Sequence, residues 1–240
     1  MKVYALIVAA GSSERFGGAV PKQFAQVCGR PLLSWTISRF ENARKIDQIV
    51  VVVAEEYMHF TSEQVVDPYG FTKVNKIVAG GNTRRESVLK GLEALPISTD
   101  FVAIHDGARP LTAPADIDSV IETAIASKAA ILAIKATDTV KHAKEGYILA
   151  TLERNSLYLA QTPQVFQYDL IMAAHKERAE GHIDENITDD ASLVEARGFK
   201  VKVVEPTAPN IKVTTREDLF LVESLLQREI DEKAENRPRL

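Results

Sequence analysis

The sequence predicts a three-layer α/β fold with a mostly parallel, twisted sheet, and two observations support this prediction. Continuous apolar runs at 3–9, 49–54 and 101–105 are typical of strands that helices cover on both faces. Segments with helical spacing of apolar residues separate these runs, so we expect helices on both sides of one sheet. No repeat, low-complexity tract or linker divides the chain, and we expect a single domain over 1–240.

A loop of small residues follows the first strand and carries Gly11, Arg15 and Lys22. Small residues let backbone N–H groups approach a ligand, and the two cations add fixed positive charge, so the loop suits a polyphosphate. It lacks the Gly-Lys-Ser/Thr end of a P-loop and the spaced glycines of a dinucleotide fold. Taken alone, the loop could equally be a plain strand-to-helix turn that binds no ligand.

The following segment predicts a second loop of the same kind. Before it we expect a helix, a strand, a helix and a strand, at 31–40, 49–54, about 55–66 and 73–79. Trp35 is expected in the core. The last of these strands meets a double glycine and then a helix, with Asn82 as its N-cap and with Arg84 and Arg85 in its first turn. Freed N–H groups beside cations again suit an anion, although a plain turn would have the same sequence.

A carboxylate ends the next buried strand, where His105 is followed by Asp106. Ligands of open parallel sheets bind beyond the carboxyl ends of the strands, so Asp106 is a candidate Mg²⁺ ligand. A cap is the simpler interpretation of a lone Asp at a strand end. His105 is expected to be a hydrogen-bonded structural residue.

The pattern changes after a helix at about 112–127 and a strand at 130–134. Polar and apolar residues then alternate on either side of a turn at 145–147, which predicts a β-hairpin inserted into the domain. A projecting two-stranded hairpin is only marginally stable, so we expect the segment 136–159 to pack on a second copy of the chain.

The rest of the chain returns to the α/β pattern. We expect a strand, a helix, a strand, a short strand and a final helix, at 162–166, about 168–178, 200–204, 210–214 and about 215–230. The acidic loop over 181–190 leads to a helix that Thr188 is expected to cap. Four of its carboxylates are expected to form a solvated face, namely Asp184, Glu185, Asp189 and Asp190.

Composition narrows the class of protein. A net charge of −4 argues against a nucleic-acid partner held by bulk electrostatics. The single cysteine, Cys28, excludes an intramolecular disulfide and a cysteine-based zinc site. The opening apolar stretch is too short to span a bilayer and has no usual cleavage site, so we expect a cytoplasmic protein without a membrane partner.

Nine motifs occur in one order along the chain: A-A-G-S-S-E-R-F, P-K-Q, G-G-N-x-R-x-x-S-V, H-D-G-A-R-P, D-T-V-K, R-N-x-L, Q-T-P-Q-x-F, I-T-D-D-A-S and N-I-K-V-T. Together they resemble the cytidylyltransferases that act on 2-C-methyl-D-erythritol 4-phosphate in the non-mevalonate isoprenoid pathway. The resemblance covers nearly the whole chain, although those enzymes usually carry Gly in place of Ser13. Ribitol 5-phosphate cytidylyltransferases share most of the motifs but lack a clear R-N-x-L, and they remain the alternative.

The resemblance implies a Rossmann-like nucleotidyltransferase fold and a set of CTP contacts. Arg15 and Lys22 would stabilise charge around the α-phosphate, and Asp106 would help to hold Mg²⁺ or another divalent cation on the phosphates. The residues that it implies in the CTP site are Ala9, Ala10, Gly11, Gly81, Asn82, Ser87, Asp106, Gly107 and Thr139.

The resemblance also implies a site for the polyol phosphate that is shared between two copies of the chain. Lys212 and Arg154 would grip its phosphate, and the hairpin would deliver Thr139 and Arg154 across a homodimer interface. Without the resemblance, the hairpin residues would be interpreted as a solvent-exposed arm.

The implied reaction agrees with the residue types present. A phosphate nucleophile is already an anion, so the catalyst must gather two polyanions and stabilise the charge that builds between them. Two other classes stay open. An NAD(P)-dependent oxidoreductase would need spaced glycines, which this sequence lacks. At the end of its second strand the sequence offers only Glu55 as an acidic ligand for the ribose. A non-catalytic nucleotide-binding module would have little need for cations at both phosphates.

Overall fold

The computed structural model describes residues 1–12, 16–17, 20–179 and 188–235. Its strands, in chain order, are β1 Val3–Val8, β2 Gln26–Val27, β3 Arg30–Pro31, β4 Gln48–Val53, β5 Val74–Ala79, β6 Phe101–Asp106, β7 Ala129–Lys135, β8 Lys141–Lys144, β9 Tyr147–Thr151, β10 Tyr158–Gln167 and β11 Lys202–Val204. Over the described ranges, seven of them form a central sheet in the order β11-β7-β10-β6-β1-β4-β5. β2 pairs with β3, and β8 pairs with β9.

The helices alternate with the strands of the sheet, as the apolar spacing predicts. They are α1 Leu32–Glu41, α2 Met58–Phe60, α3 Arg84–Glu93, α4 Pro114–Ser127, α5 Tyr168–Ala179, α6 Asp190–Ala196 and α7 Arg216–Glu235. The expected helix over 55–66 is instead a series of 3₁₀, α and π turns that reaches Tyr69. The π turns over Thr61–Val66 contain three buried residues, Thr61, Val65 and Val66.

Two apolar layers sandwich the sheet and confirm the α/β fold class. Along β1, Ala5 and Ile7 face a core shared with α1 and α4, whereas Tyr4 and Leu6 face a core shared with α3, α5 and α6. This alternation follows from the two-residue period of a strand. The sheet is mostly parallel, as expected, but β10 runs antiparallel to both β6 and β7.

The register of the sheet brings three strand ends together. Val8 pairs with Val52 on one side and with Asp106 on the other, so β1, β4 and β6 end at the same level. The loop after β5 is tied to this edge by the Gly80 N–H, which donates to the Val53 carbonyl over 2.7 Å. The two loops that the sequence predicts to bind anions therefore lie at one edge of the sheet.

The segment 210–214 is not a strand, and this prediction was wrong. Within the described ranges, one backbone–backbone bond joins it to the rest of the domain, from Val213 N–H to the Ala108 carbonyl over 2.9 Å. Side chains hold the rest of it: Asn210 is buried, accepts from the Thr112 hydroxyl over 2.8 Å and donates to the Thr162 carbonyl over 2.8 Å. These bonds place the following residues at the edge of the sheet without a ladder.

The hairpin predicted within 136–159 is present, and its turn lies at Glu145 and Gly146, inside the predicted turn, between β8 and β9. Every residue of β8 and β9 is exposed. Trp35, expected in the core, is half-buried and donates from Nε1 to the Val27 carbonyl over 2.9 Å. In the described part of the chain, none of the helices has both the length and the apolar character needed to cross a bilayer.

Candidate functional site

A cleft of about 1100 Å³ lies at the carboxyl ends of β1, β5 and β6. It brings together most of the residues that the sequence singles out, although they come from distant parts of the chain. Those that line it are Ala9, Ala10, Gly11, Lys22, Gly81, Asn82, Ser87, Asp106 and Lys212. Arg15 lies outside the described residues.

Asp106 is the charged centre of the cleft and contacts three cations. Its Oδ1 accepts from Arg84 Nε over 3.1 Å, and its Oδ2 lies 2.9 Å from Lys212 Nζ and 3.5 Å from Arg109 Nε. Burial would raise the pKa of the Asp106 carboxyl, but these cations outweigh it and hold that pKa below its ordinary value. Asp106 is therefore ionised throughout the neutral range.

A second carboxylate, Asp190, holds Arg84 from the other side. Its Oδ2 accepts from Arg84 Nη1 over 2.8 Å, and its Oδ1 lies 3.1 Å from His175 Nε2. Burial disfavours the Arg84 cation, but Asp190 and Asp106 more than compensate and raise its pKa above the ordinary value. Asp190 is 2% exposed, so the prediction of a solvated face is wrong for this residue. Asp184 and Glu185 lie outside the described residues.

Two helix caps near the cleft differ from the predictions. The N-cap of α3 is Thr83, whose Oγ1 accepts from Glu86 N–H over 3.1 Å, and not Asn82. The N-cap of α6 is Asp189, whose Oδ1 accepts from Ser192 N–H over 3.0 Å, and not Thr188. In both places adjacent residues have side chains able to cap, so the sequence alone did not settle which one does.

The loop after β1 is held by Gln23, a residue that the sequence reasoning missed. Its Nε2 donates to the Ala9 carbonyl over 2.8 Å and to the Gly11 carbonyl over 3.3 Å, and the side chain is buried. The P-K-Q motif contained this signal, since a polar residue that follows a phosphate loop can hold its backbone. Lys22, one residue earlier, reaches the cleft.

His105 lies behind Asp106 and is structural, as expected. Its Nε2–H donates to the Arg109 carbonyl over 3.2 Å, and its Nδ1 accepts from the Thr162 hydroxyl over 3.0 Å. The same Thr162 oxygen accepts from Asp106 N–H over 3.1 Å. Burial lowers the pKa of His105 to about 3, so a neutral ring anchors the backbone that carries Asp106.

Three of the residues implied by the resemblance do not line the cleft. Gly107 is buried behind it, where a Cβ would lie 2.8 Å from Ala9 Cβ. Thr139 and Arg154 are exposed on the hairpin side of the chain, and Arg154 donates to the Thr137 carbonyl over 2.7 Å. The isolated chain therefore does not bring the hairpin residues to Asp106.

The donor set of the cleft fits a divalent cation that is shared with a substrate. Among the described residues, no three His, Cys, Asp or Glu side chains form a ready metal cage. Mg²⁺ commonly binds through one or two carboxylates together with substrate phosphates, and Asp106 supplies one ionised carboxylate at the cleft surface. Lys212 now lies against that carboxylate, so a cation there would compete with it.

Comparison with known proteins identifies close relatives. A family model described as 2-C-methyl-D-erythritol 4-phosphate cytidylyltransferase matches residues 3–228. Proteins of that name from Geotalea uraniireducens (strain Rf4) and Pelotomaculum thermopropionicum are 44% and 42% identical, over 95% and 94% of this chain and 97% and 94% of theirs.

Solved structures give the same result. A 4-diphosphocytidyl-2C-methyl-D-erythritol synthase from Anaerococcus prevotii has a TM-score of 0.82 at 31% identity, covering 94% of this chain and 98% of its own. A 2-C-methyl-D-erythritol 4-phosphate cytidylyltransferase from Thermus thermophilus has a TM-score of 0.74 at 33% identity, covering 95% of this chain and 100% of its own.

Proposed function

Because the chain belongs to the 2-C-methyl-D-erythritol 4-phosphate cytidylyltransferase family, we propose that it transfers a cytidylyl group from CTP to 2-C-methyl-D-erythritol 4-phosphate. The products are 4-diphosphocytidyl-2-C-methyl-D-erythritol and pyrophosphate, and the reaction serves isoprenoid biosynthesis. Family membership favours this polyol over ribitol 5-phosphate, and favours catalysis over a nucleotide-binding module or an NAD(P) oxidoreductase.

The observation that carries this function is the meeting of Lys22, Asp106 and Lys212 in one cleft. A phosphate of the polyol attacks the α-phosphorus of CTP, a new P–O bond forms, and the bond to the pyrophosphate oxygen breaks. The nucleophile needs no deprotonation, so the barrier is mainly one of positioning and charge. Preorganised cations lower it because they need no reorganisation when charge develops.

Each cation has its own role in the proposal. Arg15 and Lys22 stabilise the negative charge around the α-phosphate in the transition state, and Lys212 binds the phosphate of the polyol. The small residues after β1 and β5 line the CTP site, because the absence of large side chains lets the nucleotide approach the backbone closely. Gly107 supports this wall from behind, where it packs on Ala9.

Mg²⁺ or another divalent cation is the proposed cofactor, with Asp106 as its protein ligand. When bound, it would neutralise charge on the phosphates of CTP. The ionised state of Asp106 and its place at the cleft surface support this assignment. Arg84 would keep the carboxylate in place, because it is itself held by Asp190.

A homodimer completes the site in this proposal. The segment 136–159 is an arm inserted in a single domain over 1–240, and it delivers Thr139 and Arg154 to the polyol phosphate of the partner. Exposed apolar side chains on β9 support this role, with Tyr147 77% and Ile148 65% exposed. We also propose a cytoplasmic location, since the reaction uses CTP.

The test is pyrophosphate release from CTP, measured side by side with methylerythritol phosphate and with ribitol 5-phosphate. We expect release with methylerythritol phosphate at a kcat/KM at least about tenfold higher. Equal or faster release with ribitol 5-phosphate would contradict the choice of polyol. Release with neither polyol would contradict the transferase function itself.

A further inference from the structure

Three consecutive residues of the loop between β5 and α3 are held by three side chains of α3. Lys90 Nζ donates to the Gly80 carbonyl over 2.7 Å. Ser87 Oγ accepts from Gly81 N–H over 3.0 Å, and Glu86 Oε2 accepts from Asn82 N–H over 2.9 Å. We call Glu86, Ser87 and Lys90 the α3 clamp.

The clamp fixes the orientation of two successive peptide groups. The Gly80 carbonyl and the Gly81 N–H belong to one peptide group, so Lys90 and Ser87 hold it at both ends. The bond from Glu86 holds the next group by the Asn82 N–H. Because a trans peptide group is planar, holding that N–H also sets the direction of the Gly81 carbonyl.

The two glycines make the clamp necessary. A Cβ on Gly81 would lie 2.4 Å from Glu86 Cβ, and a Cβ on Gly80 would lie 2.5 Å from Ala10 Cβ, so close packing excludes larger residues here. Glycine removes the steric limits on backbone rotation, and two adjacent glycines would let the peptide groups turn over. The three clamp bonds restrict the backbone rotation that the two glycines would otherwise allow.

We propose that Glu86 and Lys90 are positioning residues that set the preference for CTP over UTP, by fixing the hydrogen-bonding groups that this loop presents to the base. The inference rests on the proposed function, in which the loop lines the nucleotide site. The N–H groups of Gly80, Gly81 and Asn82 all donate within the chain, so the expected free donors for an anion are not present. The loop therefore suits the base through its Gly81 carbonyl better than it suits a phosphate. Cytosine carries an amino donor at C4 and an acceptor at N3, whereas uracil carries a carbonyl acceptor and an N–H donor there. A fixed Gly81 carbonyl accepts from the amino group of cytosine and repels the C4 carbonyl of uracil. A peptide group that turns over would present an N–H instead and would reverse this preference.

Neither residue is needed for the fold of α3. Glu86 and Lys90 are exposed to solvent at the edge of the cleft, while the buried face of the helix is formed by Ser87, Val88 and Leu92. Substitutions at the two exposed positions therefore change the loop while the core contacts of the helix stay in place. This separates positioning from folding in the test.

The experiment compares kcat/KM for CTP with kcat/KM for UTP in the pyrophosphate-release assay, together with the Kd of each nucleotide from direct titration. We expect Glu86→Ala and Lys90→Met each to lower the CTP/UTP ratio about tenfold, with UTP losing less than CTP. Glu86→Gln, which keeps an acceptor oxygen, should restore most of the ratio. Glu93→Ala, which changes an exposed glutamate on the same helix, should leave it unchanged.

Thr83→Ala provides a comparison, because the Thr83 side chain caps α3 through Glu86 N–H and makes none of the three clamp bonds itself. It should lower the melting temperature without changing the ratio. A ratio that stays constant in Glu86→Ala and Lys90→Met, or that falls equally in Thr83→Ala, would overturn the inference. If the wild type released no pyrophosphate, the proposed function would fail, and the ratio of the Kd values would still decide the inference.

Discussion

The cleft and the hairpin arm differ in how their functional residues are held. In the cleft, Asp106 is fixed by cations from α3, from the segment after β6 and from residue 212, all within one chain. In the arm, Arg154 bonds to the carbonyl of Thr137, which belongs to the arm itself, and the apolar side chains of β9 face solvent. The cleft is preorganised by the chain itself, whereas the arm has a functional partner only in the proposed dimer.

The contrast follows from the physics of each region. Buried charges are tolerated only with partners, and Arg84 lies between the buried carboxylates Asp106 and Asp190 and pairs with both. A two-stranded hairpin buries little by itself and gains stability when its apolar side chains pack on another surface. Substitutions should therefore have different consequences in the two regions, and the following predictions test this.

The largest effect is expected for Lys22→Ala in the cleft. Removal of a preorganised charge near the α-phosphate should lower kcat by roughly 10² or more, because the charge acts mainly in the transition state. Steady-state pyrophosphate release measures it. A change confined to KM would contradict the role of Lys22 in the transition state.

Low pH should lower the free energy of unfolding through His105, which lies behind the cleft. Its folded pKa is lowered to about 3, below the unfolded value, so the unfolded state binds more protons and stability falls as pH drops from about 6.5 toward 3. Between pH 7 and pH 5 we expect a loss of roughly 2 kcal/mol in the free energy of unfolding.

Urea denaturation at several pH values measures this loss. His105→Gln should remove most of the pH dependence over this range. His59→Gln, which changes a histidine that is 84% exposed, should keep it. A wild-type stability that is constant from pH 7 to pH 5 would show that His105 is not held neutral.

A smaller effect is expected for Arg154→Ala in the arm. The kcat/KM for the polyol phosphate should fall about tenfold, because one charge-assisted contact to phosphate is lost. The Kd for CTP should stay constant, because the cleft is built without the arm. Titration with CTP measures this Kd separately from the kinetics. A weaker affinity for CTP in Arg154→Ala would show that the cleft and the arm are not independent.

The smallest effect is expected away from both regions, at the ion pair of Arg39 and Glu229. Two bonds of 2.9 and 2.7 Å join them. The bond from Arg39 lowers the pKa of Glu229 to about 2, so its stabilisation is present above about pH 4.5 and is lost as pH falls toward 2. Glu229→Gln should cost about 1 kcal/mol in thermal unfolding and leave kcat unchanged. A lower kcat in Glu229→Gln would show that residues outside the cleft and the arm contribute to the functional site.

The features that the sequence predicted well are those that depend on local pattern. Long apolar runs identified β1, β4 and β6, because strands covered on both faces have few polar positions. The carboxyl ends of parallel strands meet at one edge, so the loop after β1 and Asp106 could be placed together from the sequence alone. The resemblance then supplied the substrates.

The features that the sequence missed depend on contacts between distant positions. Asp190 looked like part of a solvated loop because its partner Arg84 lies 106 positions away along the chain. The sequence also did not predict the antiparallel direction of β10, since an apolar run is equally typical of a parallel and an antiparallel strand. The series of 3₁₀, α and π turns in place of one helix after β4 was missed as well.

The most direct test of a cleft built by one chain and completed by another is to mix two impaired variants. If each arm completes the cleft of its partner, a dimer of one Lys22→Ala chain and one Arg154→Ala chain has one site with both defects and one site with neither. After random exchange of subunits, at limiting polyol phosphate, we expect about a quarter of the wild-type activity. Activity that stays at the mean of the two separate variants would contradict it, since each chain would then use its own Arg154.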